Sequence, residues 1–596
     1  MVAFRLRVGL LVVALLSLAD AAMAMSAPAA PRDLKVEYAV EPLGLDVPAP
    51  RLMWTTPLGR QSAYEVRVAA KGRGQVWDSG RQASAALPQA IYAGPSLQSR
   101  QRYLWWVRTW DAAGRASSWS APSWWEMGLL GRRDWTGQWI GGRTSVDHDW
   151  SDMTLKVDFT LSGKSLDVLF RARPIGKTYG EAYVWRIEVA GGKAVLLEQV
   201  RHYPGGQSSA TVTTTLRKID LQGFAGMAAH RHELTISARG SSIETSIDGA
   251  PVDALTDAGQ TSGTIGFSSS EPDAAVIHAV SVTSSDAPET RIGFGNGDNP
   301  FSGGRVTAEG LAVASATLNK DIVLPIGAPA PLLRRAFDAG HGPIERARLY
   351  VAGAGWPRLS LNGAAIGASA LASGFTDYGK RVLTRTYDVT GLIRPGRNAL
   401  AAELGRGWYG LVEPNEWYFH QAPWHGPPAL LAQLEIEYRD GTRQVIATDD
   451  AWKAIDGPTL HDSLHAGERY DARRDPTGWR ESAFEDAAWP AAVVRTGPAG
   501  VLVDANLEPI RPLDRVEPVS MKLIAPGVYV FDFGRIFAGR LNLTVSGPVG
   551  RTVSMVQGEK LNPDGSVLAF NRLVDSEMQT DRYTLAGGGV EHWAPS

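Results

Sequence analysis

Acids, histidines, glycines and aromatic rings are the side chains whose types and spacing suggest chemistry in this sequence. Glu468 stands three residues before Asp471, and Asp575, Glu577 and Asp581 form a second acidic group. Acid/base hydrolysis needs two carboxyl groups, one protonated and one ionised. Both groups lie on strand or loop patterns, where acidic residues usually form a solvated surface, so neither is taken as such a pair. Glu559 is set aside because no spacing supports it. His461 and His465 have the spacing of two zinc ligands on a helix. Asp462-Ser463 and Gly467 do not make a helix, however, and Asp462 occupies the place of the Glu in H-E-x-x-H. The pair is expected to be structural or solvent-facing. Gly405 to Gly410, GRGWYG, fits G-x-G-x-x-G, yet Pro414 blocks the helix that would hold a pyrophosphate. The glycines from Gly293 to Gly297 fail for the same reason. What is left is aromatic: Trp408, Tyr409, Trp417, Tyr418 and Trp424 crowd a Gly- and Pro-rich stretch that also holds Asn415, Glu416 and His420. Flat apolar faces can stack on a pyranose while the polar side chains bind its hydroxyls, and burial of the same rings in a domain interface is the alternative. Sugar contact is assigned to Trp408, Tyr409, Trp417 and Trp424; no residue is assigned to catalysis or to a metal.

Those rings must be held by strands. Around them, Leu349 and Val351 alternate with Arg348 and Tyr350, Leu359 and Leu361 flank Ser360, and Asn362-Gly363 follows at once, so period-two strands meet at a tight hairpin. The same period runs through Ala63 to Val68 and Tyr103 to Trp110, where Trp54, Trp105 or Trp106, and Trp110 are expected in a core. It recurs in MTLKVDFTL, LDVLFRA, AYVWRIEVA and AVIHAVSVTSS between Trp150 and Ser285, with a hairpin at Asp248-Gly249. Further turns fall at Asp440-Gly441 and Pro563-Asp564-Gly565. No stretch sustains a helical period. The fold class is therefore all-β, a string of β-sandwich domains.

At 596 residues the chain is expected to form about four domains. Lys plus Arg at 60 against Asp plus Glu at 62 leaves a net charge of -2, too little to favour nucleic acid or an anionic membrane as partner. Arg5 and Arg7, an apolar run from Val8 to Leu18 and the Ala22-Met23-Ala24 cleavage site make residues 1–24 a signal peptide. The product is expected to be secreted or periplasmic. With no Cys it has no disulfide, thiolate metal site or Cys-linked lipid anchor.

Five stretches then carry a resemblance: LGLDVPAPRLMW with SWSAPSWWEMGLL, the hinge DWTGQWIG, the segment from Arg346 to Gly410, GERYDAR at Gly467 to Arg473, and VYVFDFGRIFAGRLNLTVSG. Together they resemble bacterial α-L-rhamnosidases, glycoside hydrolase family 78. The resemblance implies a fibronectin type III-like domain at 31–128 and the rhamnosidase N-terminal β-sandwich at 328–500. It also implies a concanavalin-like sandwich at 501–596 that precedes an (α/α)6 barrel. An inserted concanavalin-like jelly roll of the laminin-G type at 145–286, followed by a linker and return segment at 287–327, departs from the simplest layout. Its role is open between carbohydrate binding and spacing. The family's inverting hydrolysis of terminal α-L-rhamnose uses an acid and a base ~6.5–9.5 Å apart on the barrel. No position here corresponds to them, so the chain is expected to be the N-terminal, non-catalytic part, either a fragment or a natural truncation. A stand-alone carbohydrate-binding protein or an inactive scaffold is the alternative. The implied partner is a rhamnose-containing glycan or glycoside. Some members bind rhamnose on the central sandwich with calcium, whose ligands match no residues here.

Overall fold

The computed structural model describes residues 28–57, 60–144, 146–205, 210–221, 230–271, 274–285, 288–313, 321–340, 342–367, 371–569, 573–574 and 577–596. The expected signal peptide, residues 1–24, and Asp575 lie outside the described residues. Nearly every described element is a strand; the helical pieces among them are single 3-10 turns such as Arg132–Asp134 and Phe419–Gln421. No helix among the described residues is long and apolar enough to cross a membrane. The chain divides into two compact units, Met1–Trp135 and Thr136–Ser596.

The first unit is a two-sheet sandwich. Arg32–Val36, Arg51–Thr55 and Gln89–Ile91 form one sheet; Leu43–Leu45, Ser123–Met127, Arg102–Trp110, Ala63–Ala70 and Gly74–Asp78 form the other. Strand Arg102–Trp110 buries every second residue from Tyr103 onward, which directs Trp105 into the core beside Trp54 and Trp125. Its other face carries cations between indoles. The guanidiniums of Arg67 and Arg108 lie 4.6 and 4.8 Å from the Trp119 ring, and Arg108 lies 5.0 Å from Trp110.

In the second unit, Ile140–Gly141 enters the central sandwich between Ala429–Tyr438 and Val493–Val494 before the chain leaves for the jelly roll. The jelly roll packs a sheet centred on Met153–Leu161 and Ala275–Thr283 against one centred on Ser165–Ile175 and Thr178–Ala190. Its extent corrects the expected linker at 287–327. Thr290–Gly293, Arg305–Val306 and Leu311–Ala312 extend the first sheet, and Ile322–Val323 pairs with Thr264–Ser268 in the second. The Gly, Asn and Pro content of this stretch concealed Phe294, Phe301, Leu311 and Ile322, which are buried in the jelly-roll core.

The central sandwich sets Ile344–Ala354, Ala429–Tyr438 and Arg381–Asp388 against Trp356–Leu361, Gly396–Gly405 and Pro331–Ala339. Asn362 and Gly363 both adopt positive φ, 54° and 83°, as a two-residue hairpin turn demands. Ile344–Ala354 departs from simple alternation because both its faces are covered: Arg348 and Tyr350 are as buried as Leu349 and Val351. Arg348 is paired there with Asp388 at 2.9 Å. Arg334, fully buried, donates to the carbonyls of Trp479, Glu481 and Phe484 and pairs with Asp486, fixing that connection across the sheet.

The expected boundary at 500/501 also moves. Val501–Asp504 pairs in parallel with Arg381–Asp388, inside the central sheet. Farther on, Gly467–Asp471 pairs in parallel with Thr580–Thr584, so one sheet, completed by Thr459–Ser463 and Thr552–Val556, is built from both sides of the boundary.

Candidate functional site

The aromatic segment begins where strand Gly396–Gly405 ends. Arg406 is buried: its backbone N–H donates to Asp462 Oδ2 at 2.6 Å and its guanidinium to the Ala328 carbonyl at 2.8 Å. Gly407 then turns at φ 53°, with the Trp356 ring filling the space a Cβ would need. Asn415 organises the following loop. Its side-chain oxygen accepts from the Trp417 and Phe419 N–H groups at 3.1 and 3.2 Å, and its amide donates to the Glu413 carbonyl at 2.9 Å. Tyr418 takes a left-handed conformation to close it.

Three polar residues expected to bind sugar hydroxyls are used inside the protein instead. Asn415 is fully buried in the bonds just given. Glu416 pairs with Lys177 on the jelly roll at 2.5 Å, and its N–H donates to the Leu573 carbonyl. His420 is buried, and burial, reinforced by His425, pushes its pKa down to about 4. The loop therefore clasps the jelly roll on one side and the Leu573–Val574 segment on the other.

The rings divide by exposure. Tyr409 is buried, edge-on to Tyr378 at 5.2 Å, so it is withdrawn from the expected sugar contacts. Trp408 and Trp424 are half-buried, and Trp417 is 46% exposed. Trp417 lies nearly parallel to the His465 ring at 5.4 Å and to Phe419 at 6.0 Å. Phe375, which the sequence did not single out, is 49% exposed and stands 5.1 Å from Trp408 and 5.4 Å from Phe419. These rings form one aromatic shelf with Phe375 and Trp417 outermost. Phe375 was missed because it lies more than thirty residues earlier, in SGFTDYGK, where only its Gly-rich surroundings mark a loop.

The acids are a second correction. Glu468, Asp471 and Asp581 are buried, not solvated. Asp471 receives the Arg473 N–H at 3.1 Å and pairs with its guanidinium. Glu577 pairs with Arg582 at 2.6 Å, while Glu559 is exposed. Glu468 lines a cavity of ≈ 30 Å³ together with Tyr179, Phe301, Glu413, His461 and Arg582. His461, expected to be structural, stands with Nε2 2.6 Å from Glu413 Oε1. Burial opposes the Glu413 charge, but His461 and Arg406 overcome it and hold the carboxyl at about 2. Burial, reinforced by Glu403 and Asp462, pushes Glu468 up to about 7. One neutral acid and one carboxylate on a common cavity is an acid/base pattern. Its volume accommodates only about one or two waters, far below the ~300 Å³ and more of small-molecule sites, so no pyranose reaches the pair.

Among the described residues no group of three or more His, Cys, Asp and Glu side chains could share a metal ion.

Sandwiches joined in series, with a ring shelf on one of them, define the class: a multidomain β-sandwich protein. Family models match in chain order at 31–131, "Rha78A-like, N-terminal immunoglobulin domain"; at 342–514, "Alpha-L-rhamnosidase N-terminal domain"; and at 522–596, "Bacterial alpha-L-rhamnosidase concanavalin-like domain". An α-L-rhamnosidase of Streptomyces avermitilis is 35% identical over 583 residues, 94% of this chain and 54% of the relative. One from Alteromonas sp. is 25% identical over 581 residues, 95% of this chain and 44% of the relative. A crystal structure of the Streptomyces avermitilis enzyme complexed with L-rhamnose superposes with TM-score 0.63 and 31% identity, covering 95% of this chain and 54% of that one. The chain belongs to the bacterial α-L-rhamnosidase family, whose N-terminal domains it carries. It spans about half the length of the curated relatives it matches.

Proposed function

We propose that this chain is the N-terminal β-sandwich part of an exported α-L-rhamnosidase that removes terminal α-L-rhamnose from glycosides by inversion, and that it supplies neither the acid nor the base. The observation that carries this reading is the match along 94% of the chain to an α-L-rhamnosidase twice its span. Two features support it. The described helices are single 3-10 turns, so no helical barrel is formed by the described residues. The buried acid/base pattern of Glu468 and Glu413 faces a cavity too small for sugar. Export is supported by the n-region, apolar run and cleavage site ahead of Met25.

Within that protein the shelf of Phe375, Trp408, Trp417 and Trp424 is suited to hold a rhamnosyl group by stacking, because Phe375 and Trp417 remain open to solvent. The test uses the purified chain with p-nitrophenyl α-L-rhamnopyranoside and, separately, L-rhamnose by titration calorimetry. No p-nitrophenol release is expected; turnover at an enzyme-like rate would refute the assignment of acid and base. Binding is expected and should weaken about tenfold or more in Phe375→Ala or Trp417→Ala, a loss of about 1.4 kcal/mol. Equal binding by parent and variants would remove the shelf from the ligand site.

A further inference from the structure

We propose that the inserted jelly roll is a positioning element for the aromatic shelf: the Gly176-Lys177 tip of one of its hairpins holds loop 416–421 in place and so sets the stance of Trp417. The consequence for a ligand rests on the shelf being the sugar-contacting surface. The loop has little to fix it from within. Between strands Gly396–Gly405 and Ala429–Tyr438 the chain forms no strand and a single 3-10 turn, Phe419–Gln421. A connection of that length without a ladder of its own is placed by what it touches. Asn415 gives the loop its internal shape, and Asn415 and Glu416 meet Val574 and Leu573 through their backbones. The side chains of Glu416, Tyr418 and Gln421 turn instead to two consecutive jelly-roll residues. Lys177 Nζ lies 2.5 Å from Glu416 Oε2 and 6.0 Å from the centre of the Tyr418 ring. Gln421 Nε2 donates to the Gly176 carbonyl at 3.3 Å. Trp417 stands between Glu416 and Tyr418, so the jelly roll holds the residue on either side of the most exposed indole of the shelf.

The tip itself is rigidly made. Ile175 pairs with Thr178 across Gly176 and Lys177, a two-residue hairpin connection whose first position takes φ 74°. The Tyr203 ring lies 2.6 Å from the place a Gly176 Cβ would occupy, so glycine alone admits both the turn and the ring. Tyr203 is tied in turn to the same hairpin, its N–H donating to Glu181 Oε1 at 3.0 Å. Lys177 therefore projects from a fixed base, and its charge meets Glu416 where both side chains are only partly exposed. A pair of this kind adds little to the stability of the whole chain, yet it weighs heavily on a loop that opens at small cost.

Amide hydrogen exchange and titration of L-rhamnose by calorimetry, both on the whole chain, test the inference in the parent, in Lys177→Glu, and in Lys177→Glu combined with Glu416→Lys. Protection of amides 417–421 is expected to fall about tenfold in the single variant, because two carboxylates then face each other, and to recover in the charge-swapped pair. The rhamnose Kd is expected to rise about threefold or more and to recover with it, as the held stance ceases to be the main population. The urea midpoint should be the same in all three, which separates a displaced loop from a damaged fold. Unchanged protection in Lys177→Glu, or a loss that the charge swap does not restore, would overturn the proposal. Equal rhamnose affinity in parent and Lys177→Glu, where Trp417→Ala weakens it, would also overturn it and leave the shelf standing. No rhamnose binding by the parent would refute the shelf reading alone, and the exchange result would then decide by itself whether the tip holds the loop.

Discussion

Glu198 is sealed between the two jelly-roll sheets, fully buried on strand Lys193–His202, with Asp253 beside it. Arg217 ties Asp253 at 2.6 Å, and Thr245 Oγ1 lies 3.4 Å from Glu198 Oε1. Burial, reinforced by Asp253, pushes the Glu198 carboxyl up to about 7. With the folded pKa raised, its contribution to stability is intact below about 4.5 and lost progressively as pH approaches about 7. Glu198→Gln is therefore expected to reduce the fall in unfolding free energy between pH 5 and pH 8 by on the order of 2–3 kcal/mol. Denaturant titrations at the two pH values measure it, and an unchanged fall would remove Glu198 as a source. In sequence Glu198 looks like one more polar position of an alternating strand. Only the packing of a second sheet shows that it points inward, as it also shows for Glu468 and Arg348.

At the scale of elements, alternation placed Trp54 and Trp105 in the core of the first sandwich, since burial follows the pleat, whereas Trp110 is buried on the opposite face under Arg81 and Arg108. The outer face of the same sheet was not legible, because the ladder is assembled from residues far apart in sequence. Trp119 follows strand Arg102–Trp110 and stacks between Arg67 and Arg108, whose guanidiniums also share buried Glu65 at 3.1 and 2.6 Å. Half-exposed cation–π contacts contribute about 0.5–1 kcal/mol each. Trp119→Ala should thus cost the first unit about 1–2 kcal/mol in urea unfolding of the whole chain, and Trp119→Phe less. A cost below about 0.3 kcal/mol would mean the ladder does not stabilise the sheet.

On the whole molecule, exposed apolar area concentrates after residue 500. In the ribbon of Ser520–Ala525 and Val528–Asp532, Met521 pairs with Phe531 and Leu523 with Tyr529, and all four side chains are at least half exposed. A two-stranded ribbon is marginal alone, and an open face of this kind marks a contact surface. The chain is expected to self-associate at micromolar concentration through this face. Met521→Lys combined with Phe531→Lys should shift sedimentation toward the monomer and lower binding of an apolar dye. Identical sedimentation of parent and variant would place the association elsewhere.

Period-two patterning and turn chemistry determined from sequence alone that this is a series of β-sandwiches, because a pleated strand and a left-handed Asn-Gly or Asp-Gly turn are specified within a few residues. Quoted phrases such as GERYDAR carried the family. Tertiary structure alone decided which side chains a second layer covers. It sent Asn415, Glu416 and His420 into internal contacts, brought Phe375 to Trp408, drew Thr290–Gly293, Leu311–Ala312 and Ile322–Val323 into the jelly roll and paired Gly467–Asp471 with Thr580–Thr584. Those outcomes depend on contacts between residues tens to hundreds of positions apart, which local periodicity does not encode.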